Sequence, residues 1–291
     1  MEQSLLHASL PASFQESASL CSVEQHINLL RYPGGKQRLI PYFIERLPTA
    51  KSLIGTYFEP FVGGASVFFT LRPRKTVLSD INRELIDLYR GIRRNSKLVW
   101  DHYRTYPSSK KGYYRVRDEE PLKRDCVARA ARLLYLNRTC FKGMWRHNAE
   151  GHFNVGYGGQ DRRWVISCET LEYAASALRN AKLHCSDFEA IVDQSHTGDF
   201  IFLDPPYAPF ERELSHQHYW FGNFDLEQQR RLAAALNRAH GRGVRWLLIN
   251  SNHRDIVKLY KGFVISALYM GVGAALGQIS RNCGEMVVTN Y

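Results

Sequence analysis

Between residues 54 and 93 the spacing of apolar positions changes repeatedly. A short apolar run at 54–58 leads into a glycine-bearing turn and a helical spacing at 66–71. A second run at 76–79 ends in Asp80, and an amphipathic helix then reaches residue 93. Strand, turn, helix, strand, helix is the opening of a βαβ unit. Upstream, Tyr32-Pro33-Gly34-Gly35-Lys36 forms another glycine turn, followed by an amphipathic helix predicted over 37–47. The α/β rhythm returns late in the chain. It predicts a helix at 171–180, strands at 182–185 and 200–203, a helix at 225–240, and strands at 244–250, 263–270 and 285–290, with a glycine-rich loop at 271–284. The intervening 95–175 are polar, basic and rich in Tyr and Arg. One helix is predicted there, at 123–136, followed by a hairpin and loops rather than a core layer. Residues 1–26, rich in Ser, Ala and Gln, are predicted to be a loose extension. The expectation is one α/β domain built from 27–94 and 176–291, split by an insertion at 95–175.

Composition narrows the class. The chain has 291 residues and a formal net charge of +11, which favours a polyanionic partner. No apolar run is long enough to span a bilayer, so no membrane role is expected, and the first residues lack the pattern of a signal peptide. Six cysteines (Cys21, Cys126, Cys140, Cys168, Cys185, Cys283) are scattered without a C-x-x-C pair, as reduced cytosolic thiols would be. His147, His152, His216 and His218 lack further ligands at sensible spacing, so no metal site is expected.

The chemistry concentrates at 199–207. The apolar strand 200–203 runs into Asp204-Pro205-Pro206-Tyr207. Prolines cannot continue a sheet, so the strand stops in a rigid loop at its carboxyl end, where open α/β sheets bind ligands. That loop offers a carboxylate, a proline carbonyl and an aromatic ring, a set suited to a flat molecule with an exocyclic amine. The N6 nitrogen of adenine is a poor nucleophile because its lone pair is delocalised into the ring. Acceptors on its N–H groups would draw it toward sp³ character, while Tyr207 stacked on the base.

Other motifs fall at strand ends. Phe61-Val62-Gly63-Gly64-Ala65 lacks the Gly-Lys-Ser/Thr of a Walker loop and lacks G-x-G-x-x-G, but its glycines permit close approach of a ligand. Asp80 is placed for ribose hydroxyls, or as a helix N-cap. Asp187-Phe188 could accept from an adenine amine and pack on its ring, and Lys36 could meet a carboxylate or phosphate. In the insertion, Arg138, Lys142, Arg146, Arg162 and Arg163 mix with Tyr113, Tyr114, Phe141 and Trp145, which suits phosphate contact and an aromatic wedge into a duplex.

In this order the motifs resemble the Dam-like family of S-adenosylmethionine-dependent DNA N6-adenine methyltransferases. The resemblance runs over about residues 29–291. It rests on Tyr32-Pro33-Gly34-Gly35-Lys36, Phe58-Glu59-Pro60-Phe61-Val62-Gly63-Gly64-Ala65-Ser66, Asp80-Ile81-Asn82, the stretch from Leu136-Asn137-Arg138 through Met144-Trp145-Arg146-His147-Asn148 to Gly151-His152-Phe153-Asn154-Val155, Asp204-Pro205-Pro206-Tyr207, and the closing Glu285 to Tyr291. It implies a class I methyltransferase (Rossmann-like) mixed sheet with helices on both faces, and an inserted helical and hairpin target-recognition domain at 95–175. It implies catalysis by Asp204, Pro205, Pro206 and Tyr207 on an adenine flipped from double-stranded DNA. Cofactor contacts would come from Tyr32, Pro33, Lys36, Glu59, Phe61, Gly63, Gly64, Ser66, Asp80, Ile81, Asp187, Phe188 and Asp204. DNA contacts would come from Arg31, Arg138, Phe141, Lys142, Met144, Arg146 and Asn148. GATC or a related short motif is the implied target, although family members often carry Asn where this chain has Lys142, Tyr at Phe141 and Trp at Tyr32. The implied setting is cytoplasmic, on the nucleoid, as a monomer or weak dimer on DNA. A ribosomal-RNA base methyltransferase and a non-catalytic DNA-binding module are the competing readings.

Overall fold

A computed structural model of the chain describes residues 27–31, 36–120, 125–148, 150–159, 165–207, 224–268 and 284–291. Among the described residues, seven strands form one sheet: β1 (Tyr57–Glu59), β2 (Thr76–Asp80), β3 (Ala181–Cys185), β4 (Phe200–Leu203), β5 (Arg245–Ser251), β6 (Val264–Leu268) and β7 (Glu285–Thr289). Their spatial order is β3-β2-β1-β4-β5-β7-β6, with β7 antiparallel to both neighbours and the rest of the ladder parallel. The order reverses between β1 and β4, so their carboxyl ends flank a crevice where sheets of this kind take ligands. This is the mixed sheet that the family resemblance implies.

Side chains of the central strands divide between the two faces with period two. Phe200 and Phe202 of β4 join Leu247 and Ile249 of β5 and Val287 of β7 in one cluster; Ile201, Leu203, Trp246, Leu248, Met286 and Val288 join the opposite one. All four β4 side chains are buried, each worth roughly 1.5–3 kcal/mol, which explains the continuous apolar run before Asp204.

Helices cover both faces: α1 (Ile40–Phe43), α2 (Ser66–Leu71), α3 (Arg83–Arg94), α4 (Ser96–Thr105), α5 (Lys110–Arg117), α6 (Cys126–Thr139), α7 (Cys168–Leu178), α8 (Phe188–Val192), α9 (Leu226–Gly241) and α10 (Arg254–Leu259). α8, α9 and α10 pack on one face, and α1 to α7 contribute to the core of the other. The single helix predicted at 37–47 is instead α1 between two 3₁₀ turns, Lys36–Arg38 and Ile44–Arg46, with Pro41 in its first turn. Phe43 stacks on Phe202 at 6.0 Å, which fixes this segment against β4.

The stretch 95–175 differs most from expectation. It holds α4 and α5 besides the predicted helix. Far from lying outside the core, its Tyr103, Tyr113 and Tyr135 are completely buried in the same cluster as α3 and the sheet. α6 packs along α3 and α4. The caps explain the starts: Asn82, Asn95, Ser109 and Asp125 accept from backbone N–H groups in the first turns of α3, α4, α5 and α6. The expected hairpin is present. It is irregular, with antiparallel bridges Cys140↔Tyr157 and His147↔Phe153. Among the described residues no helix is long and apolar enough to cross a membrane.

Candidate active site

Acidic side chains gather at the carboxyl ends of the parallel strands. Glu59 ends β1, Asp80 ends β2, Asp187 follows β3 and Asp204 follows β4. From the far end of the chain, Glu285 at the start of β7 reaches the same cluster; it pairs in register with Ser251, where β5 ends.

Among the described residues, Lys36 is the cation placed in this cluster. The sequence offers it a carboxylate or a phosphate; it is buried, with Nζ 3.0 Å from Asp204 Oδ1 and 3.6 Å from Glu285 Oε1. The same ammonium lies 4.9 Å from the centre of the Tyr207 ring. Burial raises the pKa of Asp204 to about 6 despite Lys36, with Glu285 adding to the rise. Burial raises Glu59 further, to about 8; the Tyr57 hydroxyl, 2.8 Å from Oε2, opposes the rise and the neighbouring Asp204 charge adds to it. Burial, with the Asp204 and Glu285 charges adding to it, raises the pKa of the Tyr207 hydroxyl, and neither that hydroxyl nor Glu285 Oε2 makes a well-formed hydrogen bond among the described residues. A desolvated cluster that holds, among the described residues, more carboxyls than cations fits a ligand that brings positive charge.

The turn after β1 is held from below. Gly63, at φ +43°, donates its N–H to Asp80 Oδ2 at 3.0 Å, and the Tyr89 hydroxyl donates to Gly63 O. Asp80 Oδ1 accepts from Asn82 N–H, and the helix cap is Asn82, not Asp80. Burial still raises Asp80 to about 6. Ile81 beside it is exposed, and Ser66 opens α2 behind Gly64. Phe61 stacks on Phe188 at 5.3 Å, with Phe224 edge-on to both. Asp187 caps α8, accepting from Glu189 N–H at Oδ1, which also meets Arg231 at 2.6 Å.

The loop after β4 has a support that sequence reasoning missed. Gln229 on α9 donates to Pro206 O at 3.1 Å and accepts from Asn250 Nδ2 on β5 at 2.8 Å. Both side chains are fully buried. Their only sequence signal is a polar residue on the inward side of an otherwise apolar helix or strand.

Residues 32–270 match the family model of the D12 class N6 adenine-specific DNA methyltransferases. The chain belongs to that family. It is 34% identical over 272 residues to Type II methyltransferase M1.LlaDCHI of Lactococcus lactis subsp. cremoris, a match covering 90% of this chain and 94% of that protein. It is 34% identical over 249 residues to the DNA N-6-adenine-methyltransferase of Escherichia phage P1, covering 83% of this chain and 32% of that longer protein. A DNA adenine methylase of Vibrio cholerae is 30% identical over 258 residues, covering 87% and 90%. The activity of this D12 methyltransferase is methyl transfer to adenine N6 in DNA, which removes both competing readings from the sequence.

The residues expected to meet DNA separate into two groups in this methyltransferase. Phe141 and Lys142 are exposed at the tip of a turn, with Lys142 at φ +54° and its ammonium over the Phe141 ring. Met144 is half-buried against the core, and Arg146 holds Asn154 across the hairpin at 2.8 Å. Asn148 closes the hairpin end by accepting from His152 N–H. Arg138 differs from expectation: it is buried, its guanidinium donating to Leu29 O at 3.1 Å and to Asn28 O, so it faces the N-terminal segment rather than a duplex. Burial lowers its pKa to about 10, still cationic at neutral pH. Tyr113 and Trp145 are core residues, not wedges. Tyr32, Pro33, Gly34, Gly35, Arg162, Arg163, His216 and His218 lie outside the described residues.

Proposed function

We propose that this methyltransferase takes its methyl group from S-adenosylmethionine and acts on an adenine flipped out of double-stranded DNA at a short site, GATC or a relative of it. The observation that carries the reading is Asp204-Pro205-Pro206-Tyr207 at the carboxyl end of β4, beside the β1/β4 crevice and with Lys36 on its carboxylate. S-adenosylmethionine supplies an electrophilic methyl on a positively charged sulfonium, and the surplus of buried carboxyls over cations among the described residues supports that choice.

Glu59, Lys36 and the Gly63-Gly64 turn would hold the methionine end, with Tyr32 and Pro33 beside them. Asp80 would meet the ribose. Ile81, Phe61 and Phe188 would pack on the cofactor's adenine, with Asp187 accepting from its amine. Asp204 and the Pro205 carbonyl would accept from the N6 amine of the target base, while Tyr207 packs on its ring. Their contribution is orientation and electrostatic bias toward a pyramidal nitrogen, not covalent chemistry. Extruding the base costs a few kcal/mol, offset by these contacts. Arg31, Phe141, Lys142, Met144, Arg146 and Asn148 would carry the DNA side, within a recognition unit built from the insertion at 95–175.

The test is sequencing of methylated adenines in DNA from cells expressing the chain, against cells expressing Asp204→Ala. N6-methyladenine at one short motif, absent with the variant, is the expected result and names the site. Methylation that persists with Asp204→Ala would overturn the assignment of Asp204, and methylation confined to single-stranded DNA in a purified assay would overturn the duplex reading.

A further inference from the structure

We infer that Asn137 is a positioning residue for target reading: its buried amide binds the backbone of Arg31 to the Phe141–Gly143 turn, so that the segment entering the cofactor turn and the tip of the DNA hairpin keep one fixed geometry. The inference rests on the proposed duplex recognition and deepens it.

Asn137 lies in the last turn of α6 and is completely buried. Its Oδ1 accepts the Arg31 N–H at 2.7 Å, and its Nδ2 donates to Arg31 O at 2.9 Å. One side chain thus pairs both backbone groups of one residue, as a neighbouring strand would. The same Nδ2 stands 3.5 Å from Gly143 O. A carboxamide offers a donor and an acceptor side by side for this task without taking up a proton. The next residue, Arg138, holds Leu29 O and Asn28 O, so two successive helix residues carry the backbone of 28, 29 and 31.

Gly143 is pressed onto the same place. It sits at φ +69°, and a Cβ there would come 2.3 Å from Arg31 Cβ. Lys142 before it also has positive φ, so the turn has little freedom to readjust and presents Phe141 and Lys142 outward. Downstream of Arg31 the chain reaches Lys36, which sits on Asp204. A shift of the hairpin tip, as a wrong base beneath Lys142 would impose, is therefore carried through Asn137 to the backbone of Arg31. A correct base leaves the unit in place. Asn137 touches neither DNA nor the reacting atoms, so its part is to make hairpin fit a condition for turnover.

The test compares Asn137→Asp and Asn137→Leu with Leu134→Ala, a cavity variant in the same helix at a fully buried position. Each is assayed on the preferred duplex and on single-base variants of it, alongside cofactor binding and thermal midpoint. Expected for both Asn137 variants is a fall in kcat of about tenfold or more on the preferred duplex and a loss of about tenfold in preference over the single-base variants, with cofactor affinity within about twofold of wild type. Leu134→Ala should lose stability yet keep its preference. Should the Asn137 variants fail to fold, Gly143→Ala disturbs the same unit from the hairpin side and should lower preference in the same way. Unchanged preference in the folded variants overturns the inference. A wild-type enzyme that methylates no duplex overturns the reading beneath it.

Discussion

An ionised carboxylate accepts from an amine more strongly than the protonated acid does, and burial raises the pKa of Asp204 to about 6. Single-turnover methylation should therefore fall below about pH 6, and Asp204→Asn should be slower by about 10²–10³ with no such step. Glu59 makes a second, opposite pair of expectations. Its folded pKa of about 8 lies above the ordinary 4.5, so the stability it leaves intact at low pH is lost as pH rises toward 8. Glu59→Gln keeps an acceptor for Tyr57 and removes that loss. It should raise ligand-free stability at pH 8 by on the order of 1–2 kcal/mol in denaturant titration, while weakening binding of a cationic cofactor by calorimetry. The position of Asp204 at a strand end was legible in the sequence because strand and prolines are neighbours. The burial of Lys36 and the arrival of Glu285 were not, since both depend on which strand ends meet in space. Arg138 misled for the complementary reason: a lone Arg among basic residues reads as surface until its backbone acceptors at 28 and 29 are seen.

At the scale of elements, the strands and the helices that end in acids or glycines were readable, because breaking residues are local. α4 and α5 escaped because their apolar faces are made of Val99 with Tyr103 and of Tyr113 with Val116. Tyrosines in a basic stretch look like a binding surface, although Asn95 and Ser109 mark the helix starts. The loop at Asp204 depends on a second element in the same way. Its Pro206 carbonyl is held by Gln229, itself held by Asn250. Gln229→Leu leaves both partners short of a hydrogen bond, at a cost of about 1–3 kcal/mol. The expected result is a lower thermal midpoint together with a fall in kcat of about tenfold at unchanged cofactor affinity. A fall in stability alone, with kcat intact, would mean that the loop keeps its geometry without this support.

For the whole molecule, a net charge of +11 signalled a polyanionic partner, but charge counts when it faces outward. Lys36, Arg132 and Arg138 are buried, with Arg132 spent on the carbonyls of Val116, Arg117 and Glu119. On α9 and just beyond it, Arg231, Arg238 and Arg242 are drawn into ion pairs with Asp187, Glu189 and Asp193. These cations neutralise their own acids and leave little field for DNA. Lys142 instead stands exposed at the hairpin tip. Each phosphate neutralised contributes about −0.9 to the slope of log affinity against log salt. If Lys142 meets a phosphate, Lys142→Ala reduces that slope by about one, whatever the duplex sequence. If it reads a base edge, the variant leaves the slope nearly unchanged and relaxes discrimination at one position by about 1–3 kcal/mol. The exposed turn and the positive φ at Lys142 favour the second result, because a side chain fixed at a turn tip beside Phe141 is aimed more narrowly than a phosphate contact requires. Arg238→Ala, measured in the same titrations, should move neither quantity. Only the position of a cation, not its presence in the total, decides which of these outcomes follows.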